Sequence, residues 1–248
     1  MTIARYVLFF AFAALLAALI AISIRHLAPV GQVAWPNGDY LNAHATADRR
    51  ATDVVTVVNF DVRGFDTLGE EFILFTSVIG VILLLRRHEH LKEATPPDGF
   101  SRKIPPTSDA VRTLAVALVG PMALFGFYVA THGQLTPGGG FQGGVLWAAA
   151  PLLVYLAGHF EAFQRTVPQP FLSVLEALGA GGYAAIGLLA CLKQAPFLTN
   201  VLPLGATKDA VSSGTIYAIS AVVGIEVGAG FLLLAMAFLE ELLGGKEV

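Results

Sequence analysis

Polar residues in this chain come in short clusters between long apolar runs. Six runs approach or reach the roughly 20 residues that carry a helix across a hydrocarbon core. They lie at about residues 3–24, 66–85, 110–130, 141–160, 171–192 and 214–239. The pattern predicts an all-α, polytopic membrane protein of about six transmembrane helices. The second run is the odd one. From Phe72 to Leu85 it is apolar apart from Thr76 and Ser77, and Arg86 and Arg87 stop it. That is about 14 residues, or roughly 21 Å of helix, against a core of roughly 30 Å. To cross, the helix must start near Asp66, drawing Asp66, Glu70 and Glu71 into the membrane or its edge. A short helix over about residues 53–62 is expected to precede it.

Composition agrees. The 248 residues are 55% hydrophobic and 13% charged, about half the charge of a soluble domain, and mean hydropathy is +0.69. A formal net charge of −3 offers no footprint for nucleic acid. One cysteine, Cys191, rules out an intrachain disulfide and a cysteine-rich metal site. The first run is about 19 residues long, more than the roughly 7–15 of a signal-peptide core, so it is expected to remain as the first transmembrane helix.

Lys and Arg near span ends set the orientation. Arg86, Arg87, Lys92, Arg102, Lys103 and Arg112 mark the connection after the second span as cytoplasmic. Both termini then fall inside, with Arg5, Arg165 and Lys246. Arg25, Arg49, Arg50, Lys193 and Lys208 fall outside. The connection carries two proline pairs, at 96–97 and 105–106, which favour extended chain. The expected organisation is a two-helix module over 1–90, a Pro-rich cytoplasmic linker over 91–109 and a four-helix module over 110–248.

Intramembrane carboxylates are costly and mark ion or proton routes. Arg63, Asp66 and Glu70 stand at i, i+3 and i+7, one face of a helix if it runs through Gly64. Arg63 would then offset the cost of the acids. An outer-surface turn, with these charges in headgroups and water, is the competing reading. Glu226 lies near the middle of the last span among apolar residues and cannot snorkel out. It is either a neutral hydrogen-bonded side chain or the lining of a wet cavity. Gly224, Gly228 and Gly230 beside it give a face that another helix can approach closely. Between the third and fourth spans runs Thr136-Pro137-Gly138-Gly139-Gly140-Phe141-Gln142-Gly143-Gly144. No Lys-Ser/Thr pair follows, so it is no phosphate loop. Its glycines permit a tight turn and close packing, and its free N–H groups could meet an ion or a neighbouring chain. His88, Glu89 and His90 sit in a basic stretch with no third ligand nearby, and neither a metal site nor a cofactor is expected. No catalytic constellation is evident.

The glycine-rich stretch from Thr136 to Gly144 resembles the B subunit, MnhB, of Mrp-type multisubunit cation/proton antiporters, over about residues 112–239. The stretch from Val58 to Glu70 is similar to the small C-terminal portion of the A subunit in the same complexes. That module also occurs as a separate small subunit of membrane-bound hydrogenases, and the similarity covers about residues 54–87. The resemblance implies a transporter-complex subunit rather than an enzyme, in a bacterial or archaeal inner membrane. It would contribute to passage of Na+ or H+ beside large A- and D-like subunits and small C-, E-, F- and G-like ones. The alternative it allows is a scaffolding or ion-translocating subunit of a related hydrogenase, respiratory or carbon-uptake complex. The acid of the family's Gly-Glu pair falls on Glu70, and the family's glycine turn on Pro137, Gly138, Gly139, Gly140 and Phe141. The family usually has an apolar residue where this chain has Glu71. The expected translocation residues are Glu70, Asp66, Arg63, Glu71 and, from position alone, Glu226.

Overall fold

A computed structural model describes residues 3–26, 36–85 and 107–242. The basic and proline-rich connection, with Arg86, Arg87, His88, Glu89, His90, Lys92, Arg102 and Lys103, lies outside the described residues, as does Lys246. The described residues form helices and loops, with no strand among them.

The chain divides into two compact units. The first, Met1–Asn42, holds the apolar helix α1 (Ile3–Arg25) and the start of α2 (Pro36–Arg49). In α1 the Ser23 hydroxyl donates to the Leu19 carbonyl at 2.9 Å, which hides a polar group inside an apolar helix.

The second unit, Ala43–Val248, carries the rest. It runs through α3 (Val54–Val57), one π-helical turn (Val58–Val62), α4 (Gly64–Leu85), α5 (Asp109–Thr131), α6 (Gly140–Thr166), α7 (Gln169–Leu192) and α8 (Thr215–Leu242). Together with α1, the five long helices of this unit are the six long and apolar enough to cross a membrane. The expected spans are therefore present, α4 beginning two residues before Asp66.

Local chemistry sets the start of α4. Asp53 caps α3, its Oδ1 accepting the Val55 N–H at 3.0 Å. Thr56 donates to the Gly133 carbonyl at 2.7 Å, and the N–H groups of Thr52 and Asp53 donate to the Gln134 carbonyl at 2.9 and 3.2 Å. The segment before α4 is thus tied to the α5–α6 turn. The π turn closes with the Arg63 N–H on the Val58 carbonyl at 2.8 Å, and a new helix begins at Gly64. Arg63 stands just before α4 with non-helical backbone. Its carbonyl accepts the Asp66 and Thr67 N–H groups at 2.9 and 3.3 Å, so Arg63 opens α4, and Arg63, Asp66 and Glu70 lie together on its exposed face.

At the centre of the unit is α8, which packs on α4, α5, α6 and α7. Glycines stand on α6 and α8 where the helices come closest. A side chain at Gly140 would strike the Ser220 carbonyl and Val223, and one at Gly143 the backbone of Ala130. A Cβ at Gly144 would lie 2.7 Å from the Gly224 carbonyl, and one at Gly228 2.5 Å from the Trp147 ring. Without a hydrophobic force between helices in lipid, such close van der Waals contact supplies much of the association. Both α5 and α6 run on past Pro121 and Pro151.

A further close contact joins α7 to α8. A Cβ on Gly179 would lie 2.5 Å from the Glu226 Cβ and 2.7 Å from its Cα. Gly181, two residues on, has nothing within 4 Å. Gly179→Ala is therefore expected to push the helices apart and cost about 1–3 kcal/mol or more. Gly181→Ala is expected to be neutral or slightly stabilising. Thermal unfolding of the two variants in detergent, measured side by side, checks this.

Candidate functional site

Three helices each bring one acid to the interior of the second unit. Glu71 of α4 is 4% exposed, Glu176 of α7 is 4% and Glu226 of α8 is 0%. On α4 the buried residues are Gly64, Leu68, Glu71 and Val78, a stripe at near-heptad spacing that faces α8. Because α7 buries Leu172, Glu176, Gly179 and Tyr183 on one face, Glu176 lies one turn before the glycine that receives Glu226. A side chain on Gly230, one turn beyond Glu226, would reach Val78 and the Glu176 carboxyl at 3.3 and 3.4 Å. Glu226 lies within electrostatic reach of both Glu71 and Glu176.

These carboxyls are poorly satisfied. Both oxygens of Glu226, Oε2 of Glu71 and Oε1 of Glu176 are buried with no hydrogen-bond partner among the described residues. Ion pairs among the described residues include Arg49 with Asp61, Arg63 with Asp66 and Arg165 with Glu161, each at 2.6 Å. Like charges at short range in a low-dielectric interior repel by several kcal/mol. Three carboxylates in one buried set therefore repel one another when charged. Their positions do not converge on one point in the manner of a chelating metal site.

Above the acids sits Tyr183, fully buried, its hydroxyl donating to the Gly64 carbonyl at 2.8 Å. It lies within electrostatic reach of Glu71. Below them Phe163, Leu172, Leu232, Leu233 and Met236 form a continuous apolar cluster.

The other expected residues are placed differently. Glu70 is on the exposed face of α4, beside Ile73 and Ser77. Asp66 pairs with Arg63 through Nε and a second guanidinium nitrogen at 2.7 and 2.6 Å, and both side chains are more than half exposed. Glu70 and Glu71, about 100° apart around one helix, thus fall on its exposed and buried faces. Of the glycine turn, Gly139 takes φ +135, the one residue there that requires glycine for its backbone. Phe141 is exposed and meets Phe231 edge-on at 6.1 Å. The turn itself centres on Gly133, Gln134 and Leu135, just before Thr136.

Glu176 was absent from the expected set. The signal was available, an acid six residues inside the apolar stretch from 171, with Gly179 one turn on and Tyr183 two turns on.

Known proteins resemble this chain in both of its halves. Residues 110–233, half of the chain, match the family model described as a domain related to the MnhB subunit of Na+/H+ antiporter. Residues 13–98 match a second family model, MbhE, which describes one of the subunits of MBH. The uncharacterized protein MJ1307 of Methanocaldococcus jannaschii is 32% identical over 199 residues, 71% of this chain and 72% of that protein. A Staphylococcus aureus (strain Newman) protein named antiporter subunit mnhB2 is 32% identical over 90 residues, 36% of this chain and 63% of that one. A chain in the structure of the membrane-bound sulfane sulfur reductase, an archaeal respiratory membrane complex, superposes with a TM-score of 0.71 at 30% identity. The match covers 96% of this chain and 99% of that one. A chain of the Mrp complex from Dietzia sp. DQ12-45-1b also gives 0.71, at 23% identity, over 100% of this chain and 27% of its own, a likeness of fold.

The Arg49–Asp61 pair gives a test of the geometry around this site. Asp61 is 9% exposed, so Arg49→Ala strands a nearly buried carboxylate and is expected to cost about 1–2 kcal/mol. Arg63→Ala breaks an open pair and is expected to change stability by less than about 0.5 kcal/mol. Thermal unfolding midpoints of the two variants, compared with the parent, separate these outcomes.

Proposed function

We infer the function from one premise: the chain belongs to the family of domains related to the MnhB subunit of Na+/H+ antiporters. In our reading it is a membrane subunit of an Mrp-type cation/proton antiporter, with no reaction of its own. Its contribution to transport is a proton-holding station formed by Glu71, Glu176 and Glu226. The observation that carries this is the set of buried, unpaired carboxyl oxygens on three packed helices. Such groups are retained at depth when they do work there. A proton arriving at one carboxyl lowers the repulsion felt by the other two, so proton occupancy and local charge change together.

Glu70 has a different part. It stands on the outward face of α4 with Asp66, Ile73 and Ser77, where lipid would be a poor neighbour for a carboxylate. We assign that face, with Asp66 and Arg63, to contact with a large antiporter-like subunit, Glu70 serving a cation or proton path shared across the interface. The two-module reading puts the break at the linker, and α4 joins α5–α8 by packing on α8. The orientation expected from Lys and Arg puts the start of α4 toward the outside.

A second reading has its own support. The chain in the sulfane sulfur reductase complex matches almost the full length of this one. The same subunit would then serve a respiratory complex, coupling ion passage to redox chemistry performed by other subunits. Affinity purification of the native complex separates the two: further antiporter subunits in the eluate favour the exchanger, redox-centre subunits the respiratory complex.

The station itself is tested in proteoliposomes holding the assembled complex. Glu226→Gln and Glu71→Gln keep size and remove the titratable group. Each is expected to cut ion-driven proton movement by about tenfold or more, the scale of losing a proton-transfer group. Normal assembly with undiminished proton movement in the Glu71→Gln/Glu226→Gln double variant would rule the station out.

A further inference from the structure

We propose that the cleft bounded by Arg49, Asp61 and Asn200 is the water-filled mouth of the carboxyl station, and that Tyr183 is the gate between them. The proposal rests on the reading that Glu71, Glu176 and Glu226 exchange protons.

The cleft has a volume of about 290 Å³ and is lined by polar Arg49, Asp61, Thr199 and Asn200, with Gly64 and Leu198 among its other walls. That is room for several waters, and the polar walls give them partners. Gly64 belongs to both sides of the boundary. It lines the cleft, and its carbonyl receives the Tyr183 hydroxyl at 2.8 Å. The absence of a side chain at Gly64 leaves Tyr183 close beneath the cleft. A methyl there would lie 3.7 Å from Leu198 Cδ1 and 3.8 Å from the Tyr183 oxygen.

From Tyr183 the same helix faces lead to the acids. Glu71 is seven residues beyond Gly64 on α4 and Glu176 seven residues before Tyr183 on α7, each about 10 Å along its axis. The two helices touch, and Gly64 meets Tyr183 as the register requires. Cleft, tyrosine and carboxyls therefore form one column. Its far end is shut by the apolar cluster of Phe163, Leu172, Leu232, Leu233 and Met236. Protons reach the station from one side.

The wall above the gate is held firmly. Leu198 takes φ +65, its N–H donates to the Gly187 carbonyl at 3.3 Å, and Phe197 fills the space where a side chain on Gly187 would be. Against this fixed wall, the phenol hydroxyl donates to the Gly64 carbonyl and has the Thr67 hydroxyl beside it as a second neutral partner. Breaking these contacts frees the ring to swing, and water then links the cleft to Glu71 and Glu226. Re-forming them closes the column.

The test follows the carboxyl protons directly. The assembled complex, carrying Cys191→Ser, is mixed rapidly with D2O, and the infrared carbonyl band of the buried acids is followed in time. The band is identified by its loss in Glu226→Gln. Tyr183→Phe keeps the ring and removes the latch, and it is expected to speed exchange about threefold or more, the scale of losing neutral hydrogen bonds. A bulky, membrane-impermeant maleimide on Thr199→Cys is expected to slow exchange and to cancel the gain from Tyr183→Phe. Exchange at the parental rate in Tyr183→Phe, or a labelled cleft with no effect, would overturn the gate. Proton movement untouched by removing Glu71 and Glu226, with carboxyl exchange still governed by Tyr183, would defeat the functional reading and leave the gate standing.

Discussion

The backbone contact between α7 and α8 at Gly179 governs the interior of this protein. Only a residue without a side chain lets Glu226 sit against another helix. The contact removes lipid and headgroup from the reach of that carboxyl and leaves it fully buried. The same approach places Glu176, one turn earlier on α7, beside Gly230. With α4 packed on the other flank of α8, Glu71 completes the set. Desolvating three acids is unfavourable, and the close packing of small residues along α8 must offset it.

This arrangement gives each glycine cluster a distinct physical task. Gly140, Gly143 and Gly144 bring α6 against α5 and α8. They form the rigid frame on which the carboxyl column depends. Hydrogen bonds from Thr52, Asp53 and Thr56 to the turn at Gly133 and Gln134 then anchor the approach to α4 on that frame. A segment that belongs in sequence to one module is thereby held by the other. The buried acids come from both sides of the linker, Glu71 from before it and Glu176 and Glu226 from after it.

Much of the fold was legible beforehand. Hydropathy and length identified six spans, and the structure has helices at each, with ends within a few residues inside the described region. The shortness of the run from Phe72 to Leu85 correctly required α4 to begin upstream, and it does so at Gly64. Glu226 was recognised because no path to water exists along its own helix. The neighbouring acids were harder. Glu70 has Asp66 and Ser77 on its side of α4, whereas Glu71 has Leu68 and Val78 on its side. In a soluble helix that contrast would put Glu71 inward, and here too the apolar stripe faces the bundle. In a membrane, lipid accepts apolar residues as readily as the interior does, so the pattern by itself does not choose.

The sequence alone therefore determined where the six helices long and apolar enough to cross a membrane lie among the described residues, and that carboxyls lie within them. Those properties follow from transfer of side chains between water and hydrocarbon, which depends on local composition. Tertiary structure decided which acids meet. The rotation of α4 turns Glu71 inward and Glu70 outward, and the heptad from Glu176 to Tyr183 joins the column only because Gly179 fixes the register of α7 on α8. Rotation and register depend on contacts between residues far apart in the chain, made through small side chains that leave little trace in hydropathy.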